Sequence, residues 1–299
     1  MNSVFAIDVG GTAVKTGLVA RGGTFLAKDS FAFDRGLDFE AFVDRLAARG
    51  SDLARAAGVE PWAVAVATPG YSDPATGELL DGAGNVPVLR GRSLRAALAD
   101  RLGLPAVCAN DGVAAALGEL EYGAGRRFRR FALMTFGTGV GGAVVIDGVP
   151  VTGPRGEPPE LGAIAVGDVP AAGPAPSLER RAASAAFLRA YGEGGGDDVE
   201  ALFRLVRSGD ARAAAAVDAV SRHIAQAAGS LINALGLEAL VIGGGISGAG
   251  DLLAGRVRAH LPDFTWPMLM RRAEVALAEL GNDAGLLGAA ALAFDEVGR

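Results

Sequence analysis

"FAIDVGGTAVKTGLVA", Phe5 to Ala20, decides the reading of this chain. An apolar run ends at the carboxylate of Asp8, a Gly10-Gly11-Thr12 turn follows, and a second apolar run leaves it. The pattern predicts strand, glycine-rich turn, strand. Glycine has no Cβ and tolerates positive φ, so backbone N–H groups in such a turn can close around an anion. The stretch also has an echo. "FALMTFGTGVGGAVV" starts at Phe131, 126 residues after Phe5, and aligns with it without gaps. Phe, Ala, Gly, Thr and Val recur at the same places. Two copies imply two related lobes, each offering one turn to a shared cleft.

The rest of the chain alternates. Asp38 to Ala57 has helical spacing, with Phe39, Phe42, Leu46 and Leu53 on or near one face. "WAVAVAT" reads as a buried strand, "GRSLRAALADRLG" as a helix closed by Gly103, and "PAVCAN" as the next strand. "DGVAAALGELEYG" opens a helix with Asp111 in its first turn. Ser177 to Tyr191, Val199 to Arg207 and Ala211 to Leu235 read as helices, "EALVIGGG" as a strand and "GDLLAGRVRAHL" as a helix. A last helix follows "LGNDAGLLGAAALA". Such alternation means an α/β architecture with buried, largely parallel sheets. Gly167 to Ser177, rich in Pro, Ala and Gly, reads as a surface loop.

The 299 residues, half of them hydrophobic, suffice for one large domain or two lobes with their own cores. A net charge of −6 argues against nucleic acid as the main partner. The densest basic cluster, "RRFRR" from Arg126 to Arg130, reads as a solvated loop or helix end. The one cysteine, Cys108, permits no disulfide framework and sits in an apolar run as a core thiol. The N-terminus lacks the basic and apolar regions of a signal peptide, and the glycine-rich run after Phe131 is too short and interrupted to span a bilayer. A cytoplasmic protein with no membrane partner is expected.

Two stretches match G-x-G-x-x-G. After Gly137, Gly139 and Gly142 comes a second strand, which rules out a dinucleotide turn there. Gly243, Gly245 and Gly248 do stand between a strand and a helix, where a nucleotide-contacting turn is expected rather than an NAD site. No Walker-type G-x-x-x-x-G-K-[ST] exists, and no G-x-S-x-G supports a hydrolase triad. His223 and His260 lie in helices without paired ligand spacing. What remains is carboxylates beside glycine turns. Asp8 could hold Mg²⁺, directly or through water, next to phosphates. Asp111, preceded by Asn110, could take the proton of an attacking hydroxyl. It could equally be a helix N-cap, and spacing alone leaves both readings open.

Taken in order, the motifs resemble the ROK family of sugar kinases, over essentially the whole length. "DVGGTAVKTG" resembles its first phosphate motif, "GTGVGG" its second, "AND" the position of its catalytic aspartate, "LVIGGGISGAGDLL" its adenosine motif and "LGNDAGLLGAAALA" its closing signature. The resemblance implies an α/β, actin/hexokinase/Hsp70-like ATPase fold with two lobes and duplicated βββαβα-type cores. Residues 1–112 would form the smaller lobe, completed by the C-terminal helix 284–299, and 113–283 the larger. It implies Asp111 as base, and Asp8, Gly10, Gly11, Thr12, Lys15, Gly137, Thr138, Gly139, Gly243, Gly244 and Gly245 around Mg²⁺ and ATP. It carries sugar contacts to Gly70 in "ATPG", Asn85 in "GNVP", Asn110, Asp111, Glu160 in "ELGA" and Glu179 in "SLERRAAS". A homodimer is implied by the same resemblance.

One departure bears on substrate. Zinc-bearing members have a histidine where this chain has Ala163, and a cysteine cluster where it has "GDVPAAGPAPSLE". No zinc is expected, because a single leftover ligand could not hold it. Two carboxylates without that histidine would suit an amino substituent through charge-assisted hydrogen bonds. The expected activity is therefore transfer of the γ-phosphoryl of ATP to a hexose or amino-hexose, at the 6-hydroxyl. Glucose or an N-acetylmannosamine-type sugar are the alternatives. A sugar-responsive regulator is disfavoured, since the first phosphate strand begins at Val4 with no helix-turn-helix before it. A pseudoenzyme is disfavoured because Asp8, Asp111 and both Gly-Thr turns are all present.

Overall fold

The structure is a computed structural model that describes residues 2–168, 174–193 and 198–298. The loop expected over Gly167 to Ser177 has its residues 169–173 outside that description. The chain divides into two compact units, Met1–Arg126 with Pro150–Pro159 and Asn282–Arg299, and Arg127–Val149 with Glu160–Gly281.

The first unit is built on β1 (Ser3–Val9), β2 (Ala13–Ala20) and β3 (Thr24–Ala32), an antiparallel meander, extended by β4 (Ala63–Thr68) and, beyond a short ribbon of β5 (Tyr71–Ser72) and β6 (Leu79–Asp81), by β7 (Ala106–Asn110). The sheet order is β3-β2-β1-β4-β7, with β1, β4 and β7 parallel. β4 is buried from end to end and β1 everywhere but at Asp8, as strands covered on both faces must be. Helix α1 (Phe39–Ala57) starts at Asp38, whose carboxylate accepts from the Ala41 N–H at 2.8 Å, and ends at Gly58 in the left-handed region. Its Phe42, Val43 and Leu46 are buried against the sheet. Helix α2 (Leu94–Leu102) is capped by Ser93 and closed by Gly103. Helices α3 (Asp111–Tyr122) and α10 (Ala284–Glu296) pack backbone to backbone, because Gly118 and Gly288 leave no Cβ between them. That contact keeps α3 in the first unit, so the division falls at Arg126 rather than at 112.

The second unit repeats the sheet. β8 (Phe131–Phe136) and β9 (Val140–Ile146) form a hairpin, β10 (Val149–Pro150) lies at its edge, and β11 (Ala239–Gly243) and β12 (Glu274–Leu277) add in parallel. The order β10-β9-β8-β11-β12 is the first sheet's order again, which is the structural form of the echo between Phe5 and Phe131. Helices α4 (Leu178–Ala182), α5 (Ser184–Tyr191), α6 (Val199–Arg207), α7 (Ala211–Leu235), α8 (Asp251–His260) and the short α9 (Pro267–Met270) complete the unit. The spacing predicts one helix from Ser177 to Tyr191, but it is broken at Ala183, which is extended at φ −67°, ψ 164°. The reason is tertiary. Ser184 gives both its N–H and its hydroxyl to the Gly137 carbonyl, each at 2.8 Å, instead of continuing the helix.

The basic cluster, read from the sequence as a solvated loop or helix end, runs from the short turn Ala124–Arg127 to the residue before β8, where it is tied down. Arg130 pairs with Asp147 at 3.1 Å and donates to the Leu235 carbonyl at 2.6 Å. No helix among the described residues is long and apolar enough to cross a membrane.

Candidate active site

In the first unit the glycine turn joins β1 to β2. Gly10 N–H donates to the Ala13 carbonyl at 3.0 Å, which closes the turn. Among the described residues nothing accepts from the N–H groups of Gly11 and Thr12, so both stay available to an anion. Gly11 also permits a close approach: a Cβ there would lie 2.6 Å from Cβ of Asn85, so only glycine lets the 82–86 segment rest on the turn.

Asp8 lies opposite Lys15 in the β1–β2 ladder, and the Lys15 ammonium donates to Asp8 Oδ2 at 3.0 Å and to the Asn282 carbonyl at 2.9 Å. Gly285, in the first turn of α10, admits the Asp8 carboxylate; a Cβ there would come within 2.9 Å of it. A carboxylate at a helix N-terminus is electrostatically favoured. Thus the closing signature of the sequence buttresses the first phosphate motif.

The alternatives for Asp111 are separated by its neighbour. Asn110 is the N-cap of α3: its Oδ1 accepts from Gly112 N–H at 2.9 Å and Val113 N–H at 3.1 Å. Its Nδ2 donates to the Gly70 carbonyl at 2.8 Å. Both ends of the Asn110 amide are therefore in use within the protein. Gly70 itself adopts φ +75° and faces Gly82 at φ +84°, a crossing of two backbones that side chains would block. With the cap supplied by Asn110, Asp111 is the first residue of the helix. One of its oxygens accepts from Gly112 N–H at 2.8 Å, and the Asn110 side chain and Asp111's own N–H add weaker hydrogen bonding to the carboxylate. The residue keeps a solvent-accessible edge, yet the surrounding protein desolvates its carboxylate, and the nearby negative charge of Asp8 adds to the effect. Together they raise its pKa from 3.8 to about 6. A carboxylate with that pKa is ionised at neutral pH and still a useful proton acceptor.

In the second unit the β8–β9 turn carries Gly137, Thr138 and Gly139. Gly137 N–H donates to the Gly139 carbonyl at 3.0 Å, and the N–H groups of Thr138 and Gly139 find no acceptor among the described residues. Two side chains hold this hairpin. Ser184 binds the Gly137 carbonyl, and Glu179 Oε2 accepts from Val140 N–H at 3.0 Å. Ser184 was not singled out by sequence reading, although it ends the "SLERRAAS" motif; its role depends on a contact 47 residues away. Glu179 is not simply a free acid: one oxygen anchors the hairpin and leaves the other available. Glu160 is exposed and unpaired among the described residues, ahead of the tight turn Leu161–Ala163. Ala163 is exposed and offers no donor.

Gly243 ends β11, and Gly244 follows at φ +78°, where a Cβ would collide with the Phe136 main chain. Beyond it lies a cavity of about 570 Å³ lined by Gly137, Ser184, Asp198, Phe203, Gly245 and Ile246, among others. Its size and its mix of exposed backbone and apolar wall fit a nucleoside. Mg²⁺ fits less completely. Among the described residues no group of three or more His, Cys, Asp or Glu side chains could hold a metal. Asp8 alone is nevertheless the kind of single carboxylate that Mg²⁺ uses alongside phosphate oxygens and water. Cys108 sits half-buried on β7, two residues before Asn110 and 3.9 Å from the Thr68 hydroxyl, its thiol pushed up in pKa by burial, and His260 pairs with Asp218 at 3.0 Å.

The fold and the two glycine hairpins define an actin/hexokinase-type ATPase fold. Residues 4–296 match the ROK family, and the chain belongs to that family. It is 32% identical to a glucokinase of Thermotoga maritima, with 99% of this chain and 98% of that one covered. Among solved structures, a ROK hexokinase from Thermus thermophilus shares 31% identity with a TM-score of 0.81, covering 99% of both chains. A ROK family glucokinase from Streptomyces griseus, in complex with glucose and AMPPNP, shares 28% identity with a TM-score of 0.79 over 97% of this chain and 99% of that one. The chain is a sugar kinase, a phosphotransferase with an alcohol group as acceptor.

Proposed function

We propose that the protein transfers the γ-phosphoryl group of ATP to the 6-hydroxyl of a hexose or amino-hexose. The observation that carries this reading is that Asn110, not Asp111, caps α3, which leaves Asp111 as a desolvated carboxylate with a pKa raised to about 6. Asp111 would accept the proton of the attacking hydroxyl, a contribution of roughly 10²–10⁴ in rate. The free N–H groups of Gly11, Thr12, Thr138 and Gly139 would hold phosphate oxygens, and Gly243 to Gly245 would let the nucleoside lie against the main chain. Bound Mg²⁺ supplies charge neutralisation at the transferring phosphate, and Asp8 would hold it directly or through water. Lys15 fixes the Asp8 carboxylate from one side.

Gly70, Asn85, Glu160 and Glu179 would contact the sugar. The free carboxylate of Glu160, the remaining oxygen of Glu179 and the absence of a donor at Ala163 support an amino substituent on the ring. Glucose is the second reading, favoured by the full-length likeness to the Thermotoga glucokinase. A coupled ADP-release screen over glucose, mannose, fructose, N-acetylhexosamines and free amino-hexoses separates them. Turnover of glucose far above every amino-sugar defeats the amino-hexose reading. Absence of ADP release with any sugar defeats both.

A further inference from the structure

A second cavity of the second unit, about 530 Å³, lies apart from the hairpin and its nucleoside-sized neighbour. Its walls come from α4, α5 and α7, and they carry Arg180, Arg181, Arg189 and His223, with Asp168 as the only carboxylate at the rim among the described residues. The whole chain has a net charge of −6, so three guanidinium groups around one cavity are a local reversal of sign. Some surface arginines elsewhere find acids, as Arg130, Arg155, Arg222 and Arg258 do, and others, such as Arg207, Arg271 and Arg272, stand singly without an ion pair among the described residues. Here, among the described residues, none of the three is ion-paired.

Two of these groups, Arg189 and His223, are also held in place. Arg189 Nη2 donates to the Arg180 carbonyl at 2.6 Å, which pins one guanidinium along the wall. His223 Nδ1 meets the Ala219 carbonyl at 3.0 Å, so that nitrogen carries the ring proton and Nε2 is left to face outward. Nε2 and the Arg181 Nε converge on Gly167: a Cβ there would stand 3.2 Å from the first and 3.9 Å from the second. Gly167 is anchored in turn, its N–H donating to Gln226 Oε1 at 2.7 Å. Three unpaired guanidinium groups around one hollow, one of them held along its wall, are the equipment for a phosphate, which guanidinium binds bidentately.

We propose that this cavity binds a phosphate dianion, either free or as the ester of a small polar molecule, at a site separate from catalysis. It has a path to the catalytic half-site. Arg180 and Arg181 share one short turn of helix with Glu179, whose carboxylate accepts from the Val140 N–H of the second glycine hairpin. Drawing the two arginines inward would bear on that anchor, so occupancy is expected to change sugar turnover as well as to register as binding.

The test is titration calorimetry of the whole protein with inorganic phosphate and with glycerol 3-phosphate, at constant ionic strength. Saturable binding is expected, weakened at least about tenfold, or about 1.4 kcal/mol, in the double variant Arg181→Gln/Arg189→Gln. Ala190→Glu, on the exposed rim, adds a carboxylate without removing any packing and should weaken binding similarly. It decides the matter if the double variant does not fold. Tighter binding of glycerol 3-phosphate than of inorganic phosphate, lost in the variants, assigns the site to an ester, and equal binding assigns it to free phosphate. No saturable binding, or binding unchanged in both variants, overturns the site.

Discussion

The side-chain amide of Asn110 donates to the Gly70 carbonyl at 2.8 Å while its oxygen caps helix α3 through Gly112 and Val113. One residue thereby joins the loop after β4 to the start of the helix that carries Asp111. Asn110→Ala loses both functions. It is expected to destabilise the protein by ~1–2 kcal/mol, the usual range for a lost cap, and to lower kcat/KM. Asn110→Asp retains the cap oxygen but puts a second carboxylate beside Asp111, so the acid limb of its pH–rate profile should move above pH 6. Chemical denaturation and a pH series of kcat/KM check the pair; an unmoved limb in Asn110→Asp speaks against Asp111 as the titrating base.

Asp111→Asn removes the proton acceptor and keeps the shape. Turnover should fall by at least about 10²-fold with sugar binding still measurable. The wild-type rate should drop as pH falls through about 6, because the base must be ionised to act, and the residual rate of the variant should lack that inflection. Near-normal turnover would remove the base assignment.

The same substitution makes a stability prediction of opposite sign to its effect on activity. Asp111 has a folded-state pKa raised from 3.8 to about 6, so the folded state prefers the protonated form. The stability this provides is fully present below pH 3.8 and is lost as pH rises through 6. Replacement by Asn abolishes the dependence. The variant should gain stability relative to wild type at pH 7–8, by about 1 kcal/mol once solvent screening of the accessible carboxylate is allowed for, and little near pH 4. A melting-temperature difference that does not widen from pH 4 to pH 7 contradicts the shift.

Gly11→Ala tests the packing of the first turn on the 82–86 segment. The added Cβ would sit 2.6 Å from Cβ and 3.3 Å from the carbonyl oxygen of Asn85, so that segment must shift. The expected result is a KM for sugar raised several-fold, together with a modest loss of stability in the range of overpacking, ~1–3 kcal/mol. Unchanged kinetics would separate Asn85 from the sugar.

Glu179 separates anchoring from substrate contact. Glu179→Gln keeps an oxygen able to accept from Val140 N–H but loses the charge; Glu179→Ala loses both. The glutamine variant should keep its KM for ATP and raise KM for sugar, whereas the alanine variant should raise both, since its hairpin is no longer held. Initial-rate kinetics with each substrate varied provide the readout. Equal effects of the two substitutions on the KM for ATP would leave no role for the anchoring bond.

What could be read without coordinates was what neighbouring residues dictate. The Gly-Thr turns lie between apolar runs at Phe5 and Phe131 and form the hairpins of two sheets with one strand order, because strand, turn and strand are local choices. The helix over Asp38 to Ala57 and the closure of the next helix at Gly103 followed for the same reason. The identity of the cap at Asn110 rather than Asp111 did not follow, since both have the spacing and a carbonyl 40 residues away at Gly70 selects between them. Nor did the break at Ala183, the Lys15 link to Asn282 across 267 residues, or the pKa of Asp111, which desolvation and Asp8 create only once the chain is folded. The sequence alone settled which backbone shapes were possible and where the charges lie along the chain. Tertiary structure decided which of those groups are bonded and which stay free to react, because a hydrogen-bond partner or a desolvating neighbour acts through space, and its distance along the chain carries no trace of it.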